Sequence, residues 1–289
     1  MTGVGMVDLS TSHPTIFAPI LAELGMTVRA VLDAERGPAI QRAYPGTRAV
    51  DSLAALANAC EIAMLLGANW DERLAQLRTL VAHGVPVFVD KPMAGTAGEL
   101  RELAALADGS ARIDGGSALR VAPEAVALRE SGYRPDVVAV NCAGHPFYYG
   151  VHAVALATAV LGPGLVAARG LSGDPERSIV GVLEHAGGTE IRVSVAVADV
   201  AGGFVATVDT GGVPMRVEPA AEAFYPALLG DTMTRLGAPN ADRRPGAELV
   251  ECELALIAMA CSLTRGGARV ALDAVPADFH PWRGSALRR

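Results

Sequence analysis

The sequence predicts a two-domain protein: a Rossmann-like, doubly wound parallel sheet (α/β), followed by an α+β domain built on an open antiparallel sheet. Up to about residue 115, short apolar runs alternate with helical patterns, which is typical of parallel βαβ units. After residue 118, short apolar runs follow one another with glycines between them, as in an antiparallel meander. The chain has 289 residues, of which 51% are hydrophobic, so it is long and apolar enough for two domains. We expect these domains at 1–117 and 118–289.

The elements of the first domain are predicted from the apolar runs and from the residues that start and stop helices. Gly25 and Gly84 each follow a helical pattern, and Pro14 suits the first turn of the first helix. Gly115 and Gly116 are the expected hinge to the second domain. The predicted strands lie at 4–9, 26–32, 62–66 and 85–89, and the predicted helices lie at 14–24, 52–59 and 71–82, with a further helix that carries Glu99.

The second domain is predicted to combine helices with a series of short strands. Apolar runs that alternate with glycine-containing turns favour strands joined by tight connections. The predicted helices lie at 118–130, 151–161, 220–236 and 247–263, and the predicted strands lie at 165–171, 179–185, 190–198, 204–209, 214–217 and near Val270.

Composition and charge argue against several classes of function. The net charge is −7 and no basic cluster occurs, so nucleic acid is not an expected partner. The apolar segment 151–168 is interrupted by a Gly-Pro-Gly sequence, so we expect no membrane span. The first residues lack a signal-peptide pattern, which predicts a cytoplasmic protein. Because no CxxC spacing occurs, we expect buried thiols and no metal site at the four cysteines, Cys60, Cys142, Cys252 and Cys261.

One cation differs from all the others. Of the 24 Lys and Arg residues, only Lys91 is a lysine. It follows an apolar run at 87–89 and is therefore expected at the carboxyl end of a buried parallel strand, where ligands of open α/β sheets collect. An ammonium is a compact charge that can lose its proton when desolvated, which suits acid–base or electrostatic catalysis. The alternative is a single solvated lysine without a function.

The motif Asp90-Lys91-Pro92 carries a resemblance to a known family. With Thr96 and the helix of Glu99 behind it, the motif resembles the Glu-Lys-Pro signature of the glucose-fructose oxidoreductase, inositol dehydrogenase and MocA (Gfo/Idh/MocA) family. The resemblance implies that Lys91 is a catalytic lysine that contacts both cofactor and substrate. It also implies that Pro92 lies at the cofactor and that the Lys91–Pro92 peptide bond is cis.

A second motif resembles the substrate domain of the same family. A Gly-Val-His sequence at 150–152 opens an apolar pattern that ends in Leu-Gly at 161–162. Arg120 and the stretch 248–272 resemble the opening and closing segments of that domain. Together these similarities cover nearly the whole chain. They imply that His152 is the catalytic histidine, that it contacts substrate, and that Arg120 contacts substrate as well.

Two departures from the family pattern concern His152. The usual aspartate four residues earlier is Tyr148 here, and an acid three residues later is Ala155. A histidine base normally has a partner that fixes its tautomer, and the hydroxyl of Tyr148 or Tyr149 can take that place or donate a proton. Both tyrosines are therefore predicted catalytic residues, and Tyr149 is also a predicted substrate contact. The alternative for His152 is a capping or core histidine at a helix start.

The glycine motif that binds the phosphates of dinucleotides is missing after the first predicted strand, where the chain reads DLSTSHP at 8–14. The helix start and the side chains of this turn can still hold an anion, so the predicted cofactor contacts are Ser10, Thr11, Ser12 and His13. The alternative is a plain serine cap.

Asp33 closes the second predicted strand about twenty residues after this turn, where an acid commonly accepts the ribose hydroxyls of NAD. NAD is favoured over NADP, because a carboxylate repels a 2′-phosphate. The nearby Arg36 leaves NADP open.

The resemblance implies an NAD(P)-dependent oxidoreductase that transfers hydride to or from a hydroxyl, carbonyl or imine carbon of a sugar, cyclitol or related small molecule. We expect Lys91 and His152 to meet across the crevice between the domains and to act on one substrate oxygen. The alternative is a non-catalytic scaffold or ligand-binding protein that has lost its cofactor together with the glycine motif. An antiparallel sheet with one uncovered face predicts a homodimer or homotetramer.

Overall fold

The structure, a computed structural model, describes residues 1–33, 35–174, 176–197, 203–238 and 242–288. The helices are α1 (His13–Glu23), α2 (Gly37–Ala43), α3 (Leu53–Ala57), α4 (Arg73–Ala82), α5 (Ala97–Asp108), α6 (Pro123–Glu130), α7 (Gly150–Leu161), α8 (Ala221–Gly237) and α9 (Gly246–Thr264). The strands are β1 (Thr2–Val7), β2 (Met26–Leu32), β3 (Arg48–Ala49), β4 (Ile62–Leu65), β5 (Val87–Asp90), β6 (Ile113–Gly116), β7 (Val137–Ala143), β8 (Leu165–Asp174), β9 (Ser178–His185), β10 (Glu190–Ala196), β11 (Val205–Asp209), β12 (Met215–Val217) and β13 (Val270–Ala271).

The first domain contains a Rossmann-like sheet with the strand order β3-β2-β1-β4-β5-β6. Every pair of neighbouring strands in it is parallel. All residues of β4 and β5 are buried, as expected for strands covered on both faces. The strand order changes direction between β1 and β4, and a ligand crevice forms outside the carboxyl ends of the strands at such a point.

A short turn between β5 and α5 places Lys91 at this crevice. β5 ends at Asp90, the Lys91–Pro92 peptide bond is cis, and α5 begins with a capping box. In the capping box the Thr96 hydroxyl accepts the amide of Glu99, and the Glu99 carboxylate accepts the amide of Thr96. A buried strand and a capped helix therefore fix the two ends of the turn.

The glycines predicted as a hinge belong to the parallel sheet. Gly115 and Gly116 end β6 and pair with Val89 and Asp90 of β5. Gly115 has a φ of +136°, and a Cβ there would overlap the carbonyl group of Val89, so only glycine allows this close approach. The chain leaves the sheet at Ser117, and the domain boundary at 117/118 stays a prediction.

The second domain contains a mixed, mostly antiparallel sheet with the order β12-β11-β7-β10-β9-β8-β13. β7 and β10 run parallel, and the other neighbouring strands are antiparallel. The sequence analysis did not predict β7. Both neighbouring strands of β7 are distant in the chain, so no hairpin turn in the sequence indicates this strand. α7 and α9 pack on this sheet and cover one of its faces.

Most other predicted elements are confirmed, with ends that differ by a few residues. α2 and β3 were not predicted, because each is short and weakly patterned. The helix predicted at 118–130 is divided into a 3-10 turn at Ala118–Val121 and α6, which Pro123 begins. The strand predicted at 190–198 is β10, and position 198 lies outside the described residues. In the described ranges, no helix has both the length and the apolar character needed to cross a membrane.

Elements of the second half of the chain also pack against the first domain. α8 contacts α1, β5 and β6, and α9 packs along α5. The C-terminal segment returns to the loop after β4, where the Trp70 indole donates to the Trp282 carbonyl oxygen at 3.4 Å. The Ser285 amide donates to Asp71 in the same loop at 3.3 Å. The crevice at the end of the parallel sheet is therefore bordered by both halves of the chain.

Candidate active site

Lys91 lies in a closed cluster of aromatic and charged side chains at the crevice. Only 2% of its surface is exposed. Its Nζ lies 3.2 Å from the ring centroid of Tyr148 and 5.6 Å from that of Tyr149. An ammonium over an aromatic face is attracted by the negative potential of the ring. The predicted lysine and both predicted tyrosines are therefore close together.

Burial lowers the pKa of Lys91 to about 7, because an ammonium is poorly solvated in this position. The carboxylates of Asp90 and Glu253 oppose the shift, and the charge of Arg73 adds to it. Both protonation states of Lys91 are therefore populated near neutral pH, where the residue can accept or donate a proton.

Asp90 and His13 form a buried pair beside Lys91. His13 is the first residue of α1, and its Nδ1 lies 2.5 Å from Oδ2 of Asp90. The exposed fractions of the two residues are 6% for His13 and 1% for Asp90. Burial disfavours a charged Asp90, but His13, Lys91 and Arg73 together hold the pKa of this carboxyl below its ordinary value. Because Asp90 is ionised, Nδ1 of His13 carries the proton of the hydrogen bond.

Arg73 supports this cluster from the first turn of α4. Its buried guanidinium donates to the carbonyl oxygens of Leu65 at 2.9 Å, of Asp90 at 2.7 Å and of Gly67. These carbonyl groups belong to the end of β4, the end of β5 and the loop between β4 and α4. One planar side chain therefore holds the two strand ends that border the crevice.

His152 reaches the cluster from the other domain, in the first turn of α7. Its Nδ1 lies 2.7 Å from the hydroxyl of Ser117, and its ring centroid lies 4.9 Å from that of Phe204. Burial and then the charge of Lys91 lower the pKa of His152 well below its ordinary value. His152 is therefore neutral, and its partner is a serine where the sequence analysis expected a tyrosine.

Tyr148 and Tyr149 form the wall of the cluster, and other aromatic rings hold Tyr148 in place. The rings of Tyr148 and Trp70 stack with centroids 6.4 Å apart, and those of Phe147 and Trp282 stack at 4.8 Å. Burial raises the pKa of Tyr148. Trp70 thus supports the ring that covers Lys91, and Phe147, on which Trp282 stacks, packs edge-on against Trp70 at 5.3 Å.

Two further buried side chains connect the domains near the crevice. Oε1 of Glu253 on α9 accepts the amide of Met93 at 3.1 Å, and burial raises the pKa of this carboxyl to about 7. Arg120 donates to the carbonyl oxygens of Gly115 at 3.3 Å and Leu249 at 2.9 Å. The guanidinium of Arg120 thus joins β6 to α9, and the substrate contact expected for it stays a prediction.

A cleft of about 750 Å³ opens at the carboxyl ends of β1 and β2, and Asp33 lies on its wall. Oδ2 of Asp33 accepts the amide of Leu9 at 2.8 Å, and Oδ1 accepts the amides of Glu35 and Arg36 at 2.9 and 2.8 Å. Burial opposes the charge of Asp33, but these hydrogen bonds hold its pKa below the ordinary value. Oδ2 can accept one more hydrogen bond, such as that of a ribose hydroxyl. The residues present therefore fit the adenosine end of a dinucleotide.

The turn that replaces the glycine motif keeps few donors for a phosphate. Asp8 has a φ of +55°, a conformation that glycine usually provides, and its carboxylate lies against Gly67. The amide of Ser10 donates to Asp8 at 3.1 Å, and the hydroxyl of Thr11 donates to the Leu66 carbonyl oxygen at 3.0 Å. The hydroxyl of Ser10 accepts the amide of Ala68 at 3.1 Å and keeps its own hydrogen for a further partner. Ser12 precedes α1, and its side chain makes no capping hydrogen bond. The start of α1 and the hydroxyls of Ser10 and Ser12 are what this turn offers a pyrophosphate.

Comparisons with known proteins show similarity in fold. No known family profile and no curated protein matches this sequence. GenD2 of gentamicin A biosynthesis, solved with NAD, has a TM-score of 0.78 and 19% identity over 93% of this chain and 96% of its own. The UDP-N-acetylglucosamine 3-dehydrogenase GnnA of Acidithiobacillus ferrooxidans has a TM-score of 0.75 and 14% identity, with 90% and 97% covered. The scyllo-inositol dehydrogenase of Lactobacillus casei has a TM-score of 0.76 and 10% identity, with 94% and 98% covered.

This chain has the Gfo/Idh/MocA fold. The fold implied by the motifs at 90–92 and 150–152 is thereby confirmed. Within this Gfo/Idh/MocA fold, sequence reasoning missed the roles of Arg73, Ser117 and Glu253, which lie outside both motifs. Glu253 had one sequence signal, because an acid inside the apolar pattern of α9 needs a buried partner. No signal in the sequence pointed to Arg73 or Ser117.

Proposed function

We propose that this protein is an NAD(P)-dependent oxidoreductase. Its substrate is a sugar, cyclitol or related small molecule, which gains or loses a hydride at a carbon with a hydroxyl, carbonyl or imine group. The observation that carries the proposal is the placement of Lys91. The chain's one lysine is buried at the carboxyl edge of the parallel sheet with a pKa of about 7, and a cleft that fits adenosine opens at the same edge.

The substrate class is supported by the fold relatives, whose names include a nucleotide-sugar dehydrogenase and an inositol dehydrogenase. NAD is supported by the relative solved with NAD and by the ionised carboxylate of Asp33 on the cleft wall. A carboxylate accepts the ribose hydroxyls and repels a 2′-phosphate, so the protein prefers NAD.

Lys91 is the residue that acts on the substrate oxygen. A bound nicotinamide supplies the acceptor or donor of the hydride in this chemistry. As an ammonium, Lys91 stabilises negative charge that develops on the oxygen and can donate a proton to it. As a neutral amine, it can accept a hydrogen bond from a substrate hydroxyl. Tyr148 and Tyr149 shield this reaction from water, and His152 presents to the oxygen the ring nitrogen that Ser117 leaves free.

The test is turnover with a panel of sugars, nucleotide sugars and cyclitols, followed by the absorbance of reduced nicotinamide. On a confirmed substrate, Lys91→Ala is expected to lower turnover by about a hundredfold or more, because a charge-stabilising group is lost. Lys91→Arg is expected not to restore it, because a guanidinium is larger and keeps its proton. Arg78→Ala, in an exposed ion pair with Glu102, is the control. Unchanged turnover of Lys91→Ala would show that this assignment is wrong.

The turn at Asp8 favours a second function, that of a non-catalytic scaffold or ligand-binding protein. A carboxylate at the phosphate-binding turn repels a pyrophosphate, and the side chains of this turn bond to the chain itself. The two functions differ in one simple property, because only the oxidoreductase binds NAD(H) in a saturable way. If neither NADH nor NADPH binds, the second function replaces the first.

A further inference from the structure

The crevice contains two histidines that have different partners. Nδ1 of His152 faces the neutral hydroxyl of Ser117 at 2.7 Å, whereas Nδ1 of His13 faces the carboxylate of Asp90 at 2.5 Å. A carboxylate fixes the tautomer of an imidazole and stabilises the cation that forms when the ring accepts a proton. A hydroxyl compensates no charge. By this criterion His13 is equipped to accept a proton and His152 is not.

The position of His13 is fixed by both halves of the chain. Its ring stacks on Phe17 of α1 with centroids 4.7 Å apart, and Tyr225 of α8 packs edge-on against it at 5.6 Å. These contacts and the bond to Asp90 hold the ring in one orientation, and Nε2 forms no hydrogen bond within the described ranges. Asp90 directly precedes Lys91, so the carboxylate that orients His13 and the amine of Lys91 come from one strand end.

The second carboxylate oxygen of Asp90 provides an independent observation. Oδ1 of Asp90 is buried and, in the part of the chain that the structure describes, has no hydrogen-bond partner. Leaving a buried anionic oxygen without a partner is costly, and such groups concentrate where a protein handles protons or ligands. Arg73 bonds to the backbone carbonyl of Asp90. The Asp90 carboxylate itself bonds to His13, and the charges of Lys91 and Arg73 lie nearby.

We propose that His13, oriented by Asp90, is the proton-accepting base of the crevice, and that His152 acts there as a neutral hydrogen-bonding group. This inference rests on the proposed function. It gives His13 a catalytic role in place of the cofactor contact expected from the sequence, and it moves the proton transfer expected of His152 to His13.

In the oxidising direction, Nε2 of His13 accepts the proton of the substrate hydroxyl as the O–H bond breaks. A bound nicotinamide, as in the proposed function, would take the hydride of that carbon as the C=O bond forms. Nδ1 keeps its proton throughout, and Asp90 balances the charge of the imidazolium. In the reducing direction the same proton returns from Nε2 to the carbonyl oxygen, while Lys91 stabilises the charge on that oxygen.

The orientation of His13 can be measured by NMR without substrate or cofactor. In protein labelled with ¹⁵N-histidine, we expect His13 as the tautomer protonated at Nδ1, with a strongly deshielded Nδ1 proton that Asp90→Asn removes. The control is His83→Gln, because His83 lies at the end of α4 and bonds the Thr79 carbonyl group. This control leaves the signal unchanged. A His13 ring that is protonated at Nε2 instead overturns the proposal, whether or not the protein is an oxidoreductase.

Turnover tests the catalytic role on a confirmed substrate. His13→Gln and Asp90→Asn are each expected to lower turnover by about a hundredfold or more, and His152→Gln by less than about tenfold, with thermal unfolding measured for each variant. The proposal is overturned if His13→Gln stays within about threefold of the unmodified protein, or if His152→Gln loses more than His13→Gln. If the unmodified protein oxidises and reduces no substrate, the proposed function fails and the base role of His13 fails with it, whereas the NMR measurement still decides the orientation of the ring.

Discussion

Lys91 and Asp90 are adjacent in the chain but have different surroundings. The ammonium of Lys91 lies over the ring of Tyr148, while the carboxylate of Asp90 points to His13. A direct ion pair between the two would favour the charged lysine and raise its pKa. Asp90 raises the pKa of Lys91 only through its nearby charge, and burial outweighs it, so Lys91 changes its protonation state near neutral pH.

Because the chain contains one lysine, its titration can be read from a single NMR signal of protein labelled with ¹³C-lysine. We expect a midpoint at about pH 7, against an ordinary pKa of 10.5. Between these values the unfolded chain binds more protons than the folded one. The contribution of Lys91 to the free energy of unfolding therefore increases with pH across this window and is lost as the pH falls to about 7. The same protein in denaturant is the control, and a folded midpoint equal to the denatured one would refute the burial of Lys91.

At the scale of elements, one side chain, that of Arg73, connects α4 to the ends of the strands β4 and β5. Arg73 donates to carbonyl groups at the ends of both strands, and removing this buried side chain takes away the donor of these oxygens. Arg78 lies on the same helix but forms an exposed ion pair with Glu102. The two arginines are therefore a matched pair for measuring what the buried one contributes.

We expect Arg73→Met to lower the free energy of unfolding by about 3 kcal/mol or more, because it leaves buried carbonyl oxygens and carboxylates without their cation. Arg78→Met is expected to change it little, since exposed ion pairs contribute little to stability. Urea unfolding of the three proteins measures both effects. Equal losses in the two variants would mean that Arg73 is not what holds the strand ends.

The sequence patterns predicted the helices and strands better than they predicted which side chains bond to each other. β2 and β5 stand out as apolar runs, and the lone lysine after β5 pointed to the crevice, because these signals are local. The His13–Asp90 pair joins residues that are 77 positions apart, and the Ser117–His152 pair joins residues 35 apart. Neither pair has a local signature, since each depends on how the strand ends and the two domains meet. β7 was not predicted for the same reason, because its neighbours in the sheet come much later in the chain.

At the scale of the whole molecule, the mixed sheet has two unlike faces. α7 and α9 cover one face. The other face is mixed, because it exposes Leu171 of β8, which is 64% exposed, beside the ion pair of Glu190 and Arg192 on β10. Exposed apolar side chains on a sheet face favour association, so the homodimer or homotetramer expected from the sequence stays a prediction with this face as its interface.

Light scattering at micromolar concentration tests this prediction. We expect the unmodified protein to be a dimer or tetramer, and Leu171→Arg to shift it toward the monomer, because an unpaired charge at the interface is costly. Val213→Arg is the control, since Val213 is 92% exposed in the turn between β11 and β12 and lies outside the sheet. A monomeric unmodified protein would remove the prediction.

The crevice and the cleft beside it are expected to hold a nicotinamide dinucleotide. Titration of the unmodified protein with NADH and NADPH, followed by nicotinamide fluorescence, tests it most directly. We expect saturable binding of NADH, weaker binding of NADPH, and a loss of NADH affinity of about tenfold or more in Asp33→Ala, because the charged acceptor for the ribose hydroxyls is removed. Asp51→Ala, which removes an exposed acid of the same domain, is expected to bind NADH like the unmodified protein. Tighter binding of NADPH than of NADH would contradict the role of Asp33, and the absence of binding by both nucleotides would contradict the whole account.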